Sequence, residues 1–314
     1  MKFLNIFSTV VAAFFFLALP VRSPAADARI TEDFDANWLF SKGDFAAAMM
    51  PAFNDGNWRS LNVPHDWSSE GPFSAEYGSG NGYASGGIGW YRKHFRLDAA
   101  QKSQLVAIEF DGVYDHSEVW INGQFVGTRP FGFSSFQFDL TPFVKFGSDD
   151  NVVAVRVDHS RFADSRYYTG SGIYRDVRLV IADKLHVAHW GVSVTTPTIS
   201  ATGATVRIAT LVTNESDSPR EISVMAIVHG PPGSAPDGGY ACFQESPTVA
   251  VPTGKSIAVS LDVKIPWRPW LWDLEHPDLH TVNVRILASK QTIDEEVVAF
   301  GIREFISMRT RDFF

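Results

Sequence analysis

Ser117-Glu118-Val119-Trp120-Ile121-Asn122-Gly123-Gln124-Phe125-Val126 sets the class of fold. Its β-branched and aromatic residues suit an extended chain packed on one face. Asn122-Gly123 in the middle is a hairpin signal, because both residue types tolerate positive φ. The same pattern recurs outward from this hairpin. Residues 106–110 (VAIEF), 152–157 (VVAVRV) and 177–181 (VRLVI) are further strand-like runs. Apart from the amino-terminal segment, no stretch shows sustained helical periodicity, and only short turns such as residues 51–58 have room for a helical turn. Many short strands punctuated by Gly and Pro predict an all-β chain, a sandwich or jelly roll.

A second series of strands begins beyond residue 185. It comprises residues 192–194, 206–212, 222–228, 257–263 and 281–287, each alternating apolar with polar. Alternation with regular turn spacing over about 115 residues predicts an immunoglobulin-like β-sandwich. Cys242 is the only cysteine, so that sandwich has no disulfide of its own. The chain of 314 residues, 45% hydrophobic and 20% charged, has room for about two domains with real cores. Its net charge of −8 argues against nucleic acid and anionic membrane as partners. No Cys/His cluster has zinc spacing, and neither a metal nor a cofactor is expected. Lys2, the apolar run 3–19 and the small residues 23–28 have the layout of a signal peptide cleaved near Ala26. The competing reading is an uncleaved anchor helix, for which the run is short. Export to the periplasm or cell exterior is therefore expected. The domain plan is residues 1–26 signal peptide, 27–185 first sandwich, 186–299 second sandwich and 300–314 the start of something further.

Four segments, in order, resemble glycoside hydrolase family 2, and within it the β-galactosidase branch. They are Val63-Pro64-His65-Asp66-Trp67; Gly86-Gly87-Ile88-Gly89-Trp90-Tyr91-Arg92-Lys93-His94-Phe95; the run from Phe110-Asp111-Gly112-Val113-Tyr114 to Asp139-Leu140-Thr141-Pro142; and Gly170-Ser171-Gly172-Ile173-Tyr174-Arg175-Asp176-Val177. Pro269-Trp270-Leu271-Trp272, with His276-Pro277-Asp278-Leu279 after it, resembles the close of that family's immunoglobulin-like domain. The resemblance implies a galactose-binding-like jelly roll over residues 27–185, a partner of β-galactoside-like carbohydrate and retaining hydrolysis in the complete enzyme. β-Glucuronidase and β-mannosidase relatives share the architecture, and a stand-alone lectin-like module is the rival from another class. On physical grounds most of the signature reads as fold maintenance. Asp111-Gly112 and Asn122-Gly123 are turn chemistry, while Trp90-Tyr91-Arg92 is expected to alternate one aromatic inward with a polar neighbour outward.

The resemblance also points to a polar side chain just upstream of Gly172-Ile173-Tyr174-Arg175 as a sugar contact. Here that stretch offers Arg166, with Tyr167 beside it. Arg166 can present a fork of donors to hydroxyls, or it can pair with Asp158 or Asp164 at the surface. Asp66 is the other candidate: its carboxylate can accept sugar hydroxyls, or it can simply hold a turn. Retaining hydrolysis needs two carboxylates about 5 to 5.5 Å apart, which the family carries as glutamates on a (β/α)8 barrel of about 250 residues. Residues 299–305 (AFGIREF) resemble the entry to that barrel, and the chain reads as truncated there. Asn214-Glu215 lies in a polar turn, Asp149-Asp150 and Glu295-Glu296 read as solvated charges, and no catalytic residue is assigned. His159, His186 and His189 read as core or surface groups. An exposed apolar face is expected where the barrel would pack, with self-association through it.

Overall fold

The computed structural model describes residues 28–161, 168–233 and 240–304. Within them the chain is all-β, built as two sandwiches. The first holds β1 (Arg29–Asp33), β2 (Trp38–Lys42), β3 (Arg59–Leu61), β4 (Gly87–Phe95), β5 (Leu105–Phe110), β6 (Ser117–Ile121), β7 (Gln124–Arg129), β8 (Phe136–Asp139), β9 (Asn151–His159) and β10 (Val177–Ala182). A six-stranded sheet in the order β3-β2-β4-β9-β6-β7 faces a four-stranded sheet in the order β1-β10-β5-β8. All neighbours are antiparallel. The hairpin read from Asn122-Gly123 is present: Ile121 pairs Gln124, and both turn residues have positive φ, 51° and 83°. Asp139 closes its strand as a turn, its carboxylate accepting from the Thr141 amide at 2.8 Å.

Alternation explains the core. Val106, Ile108 and Phe110 of β5 and Leu179 and Ile181 of β10 meet Val153, Val155 and Val157 of β9 and Val119 and Ile121 of β6. Strand β4 departs from the alternating pattern. Trp90, Tyr91 and Arg92 are all buried, so the expectation of a solvated polar neighbour is corrected. The cause is a cover over the outer face of the six-stranded sheet. Phe45, Ala48, Met49, Phe53 and Trp58 pack there on Trp90, Trp120 and Ala154, and the two indoles stack at 5.3 Å. Beneath this cover, Arg92 donates to Asp55 at 2.6 Å and to the Met50 carbonyl at 3.1 Å. Residues 51–58 form turns rather than a helix. The only helical turns among the described residues are 3-10, at Ala75–Tyr77 and Ala99–Ser103.

The second sandwich holds β11 (Leu185–Ser200), β12 (Gly203–Asn214), β13 (Arg220–His229), β14 (Ala241–Glu245), β15 (Val249–Val251), β16 (Lys255–Ile265), β17 (His280–Ala288) and β18 (Gln291–Phe300). One sheet runs β11-β12-β16, the other β14-β13-β17-β18 with β15 beside β13. Val206, Ile208 and Val212 face Ile222, Val224 and Val228 across its core. Asn214 is buried and ties the turn after β12, donating to the carbonyls of Ser218 and Val251 at 3.0 and 2.9 Å.

Arg29 joins the sandwiches. Its Nε and Nη2 donate to the two oxygens of Asp294, each at 2.8 Å, and Nη2 also reaches the Val187 carbonyl at 2.8 Å. Asp294 is fully buried and also accepts from the Val187 amide at 2.6 Å. Glu296, read from sequence as a solvated charge, pairs with the same guanidinium; burial raises its carboxyl above the usual range despite Arg29. A planar fork on a planar carboxylate is a strong, directional contact. Removing one partner strands the other charge, at a cost of about 3–5 kcal/mol for a buried pair. Asp294→Ala is expected to lose about 3 kcal/mol, the low end, because Glu296 stays beside Arg29. Urea unfolding of the purified chain measures this, and a loss below about 1 kcal/mol, the scale of an exposed pair, would contradict it.

Candidate functional site

Three loops meet at one rim of the first sandwich: residues 65–70 before β4, residues 77–86 leading into β4, and residues 168–172 before β10. The signature residues in these loops mostly hold the rim together. Trp67 is buried, stacks on Phe40 at 5.7 Å and donates to the Gly86 carbonyl at 3.3 Å. Gly172 has φ of 120°, and a Cβ there would lie 2.2 Å from the Tyr91 hydroxyl. Its main chain bridges to Tyr114 in both directions, at 2.8 and 2.9 Å, so only glycine lets the loop approach this closely.

Asp66 sits at the junction. Oδ1 accepts from the amides of Ser68 and Ser171 at 2.9 and 2.8 Å, and Oδ2 accepts from the Tyr168 hydroxyl. This is the geometry of a turn-holding carboxylate that also fastens a second loop. Burial, and then the Asp66 carboxylate, raise the Tyr168 phenol above its ordinary range, so it stays protonated and donating. Arg166 and Tyr167 lie outside the described residues, which resume at Tyr168 beside Asp66.

His65 is buried and neutral in character, its pKa lowered by burial. Its Nε2 lies 2.7 Å from the Arg59 guanidinium and 3.2 Å from a Glu70 oxygen, and its Nδ1 pairs with the Tyr91 hydroxyl at 2.7 Å. Arg59 also donates to both oxygens of Glu70 at 2.9 Å. Behind the rim, the Ser68 hydroxyl donates to the Ser85 carbonyl at 2.7 Å and meets Ser171, which in turn contacts His159 Nδ1. His159 is thus a core group with a hydroxyl partner.

Beside this network a cleft of about 270 Å³ opens between Lys42, Tyr77, Asn81 and residues 84–87 on one side and residues 159–161 on the other. Tyr77 lines it, and Tyr83 and Tyr168 stand exposed on the same rim loops. Such a rim offers flat apolar faces with hydroxyl tips, a surface suited to sugar rings. Sequence reasoning did not single out Lys42, Tyr77, Tyr83 or Arg161. They come from separate loops with no spacing pattern, and the only available signal was aromatic density near Gly86.

Comparison with known proteins agrees with the geometry. Residues 32–182 match the family model for the sugar binding domain of glycosyl hydrolases family 2, and residues 185–303 match a second model of glycosyl hydrolases family 2. A β-galactosidase of Bacteroides ovatus is 39% identical over 279 residues, covering 88% of this chain and 32% of that protein. A putative β-glucuronidase of Formosa agariphila is 36% identical, covering 88% and 25%. A solved glycosyl hydrolase family 2 member from Bacteroides cellulosilyticus superposes with a TM-score of 0.79 at 34% identity, over 87% of this chain and 36% of that one. The chain therefore spans about a third or less of the length of these relatives.

Removing the Asp66 carboxylate deprives two backbone amides and a phenol of their acceptor at once. Asp66→Ala is expected to cost about 1–3 kcal/mol and to speed hydrogen exchange at the Ser68 and Ser171 amides, while Asp66→Asn keeps part of both. Thermal unfolding with site-resolved exchange measures this; unchanged protection at Ser171 would contradict the clamp.

Proposed function

The chain belongs to glycoside hydrolase family 2, and we propose that it is the non-catalytic, carbohydrate-contacting part of an exported enzyme that cleaves terminal β-linked sugars with retention. The observation that carries this reading is the match to two family models in order, across nearly all the described residues. Retention requires a pair of carboxylates on opposite faces of the sugar. Asp66, on the rim, is engaged by two amides and Tyr168, which suits scaffolding rather than attack. A β-galactoside is the favoured sugar. It rests on the β-galactosidase-type segments and on a relative carrying that name. Arg166 and Tyr167 are assigned to sugar contact, with Asp66 holding the loop that follows them. Export rests on the amino-terminal apolar run 3–19.

A second surface fits the same reading. Trp267, Trp270, Leu271 and Leu274 are exposed in the second sandwich. They belong to the loop whose Trp272 amide donates to the Ile302 carbonyl at 2.9 Å and whose Trp272 ring lies under Arg303 at 4.9 Å. Exposed aromatics grouped this way mark a face that packs against another body. In the proposed enzyme that body is the catalytic barrel, and without it two copies of the chain meet there.

Purified protein is expected to release no chromophore from aryl β-galactosides above buffer, and to bind methyl β-galactoside only in the millimolar range, about 4 kcal/mol. Turnover that co-purifies with the chain and survives removal of contaminating enzyme would overturn the non-catalytic assignment. A DNA sequence beyond the Phe314 codon that encodes no barrel would favour the stand-alone binding module.

A further inference from the structure

We propose that the rim cleft is a subsite for an oxyanion carried by a saccharide, a carboxylate or a sulfate ester, gripped by Lys42 and Arg161. The saccharide part rests on the carbohydrate-contacting reading above; the preference for negative charge stands on the cleft itself.

The chain has 35 acidic and 27 basic residues, yet among the described residues the cleft is lined by Lys42, Arg161 and His159 and by no carboxylate. Several other described cations of the first sandwich are paired with carboxylates. Arg156 pairs with Asp44, Glu118 and Asp158, Arg92 with Asp55, and Arg59 with Glu70. Among the described residues, neither Lys42 nor Arg161 has an acidic partner. Lys42 Nζ donates to the Ser85 hydroxyl at 2.8 Å, which leaves two ammonium protons without a partner among the described residues. Burial pushes this ammonium below its usual range with no compensating charge. A bound oxyanion would supply that compensation, and charge-assisted hydrogen bonds are about twice as strong as neutral ones.

The cleft is also shaped for a small group. A Cβ at residue 86 would lie 2.3 Å from the His159 carbonyl, so glycine there lets the two backbones on either side of the cleft come into contact. A volume of about 270 Å³ is just under the lower limit of about 300 Å³ for sites that hold drug-sized ligands. It accommodates one sugar unit with its charged substituent. Tyr77 at the wall gives that ring an aromatic face. Lys42 stands at the end of β2 and Arg161 just beyond the end of β9.

The test is titration of the full chain, by calorimetry or by chemical shift, with methyl β-glucuronide, galactose 6-sulfate, methyl β-galactoside and inorganic sulfate. At least one of the two acidic sugars is expected to bind about tenfold more tightly than the neutral glycoside, a difference of about 1.4 kcal/mol. Which one separates a carboxylate from a sulfate source. Lys42→Met and Arg161→Gln are each expected to remove that preference while leaving the affinity for methyl β-galactoside and the thermal midpoint unchanged. Equal affinity for neutral and acidic sugars, or a preference that survives Lys42→Met, overturns the subsite but leaves the carbohydrate reading intact. Inorganic sulfate binding as tightly as the sugar sulfate overturns the saccharide assignment. Binding of none of the probes overturns the subsite and counts against the carbohydrate reading too.

Discussion

Strand β4 is buried on both faces, and most of the first sandwich follows from that constraint. Tyr91 points into the space between the sheets, while Trp90 points the other way under residues 45–58. A strand so enclosed needs partners for every polar group it carries. Arg92 obtains them for Nε and Nη1 from Asp55 and from the carbonyls of Ala48 and Met50, while Nη2 finds none among the described residues; the covering segment is held by the strand it covers. At its beginning β4 runs directly out of Gly86, so its position also sets where the rim cleft lies.

The same enclosure explains what could and could not be read from sequence. The hairpin at Asn122-Gly123 was legible because its signal is local and its strands alternate across the sheet. Arg92 was misread because alternation presumes one wet face, and residues 43–58 carry no periodicity to announce a lid. Glu296 was misread for a related reason. In the acidic run Asp294-Glu295-Glu296 the charges look solvated until Arg29, 267 residues away, is brought beside them. Long-range ion pairs leave no local trace. The signature motifs fared better, since Trp67, Gly172 and Ile173 hold the fold wherever they occur, and their residue types state what they do.

The candidate site shows both sides of this. Asp66 was visible as a turn former, and the structure adds the second loop it fastens through Ser171 and Tyr168. Lys42 was invisible, since an isolated lysine at a strand end looks like ordinary surface. It becomes notable only because the described residues lining the cleft around it include no acid. Electrostatic character of this kind belongs to a place in space rather than to a motif, and it arises when loops from distant parts of the chain leave one charge uncompensated.

The Arg29–Asp294 fork has a bearing on time. Its two halves are 265 residues apart. At a synthesis rate of about 5–20 residues per second, Asp294 follows Arg29 by roughly 13 to 53 s. For the later part of that interval the first sandwich has all ten of its strands, while the guanidinium still lacks the Asp294 and Glu296 carboxylates. The first body must therefore persist with an open seam until the last strand of the second arrives, and the fork works as a latch that closes only once both sandwiches are made.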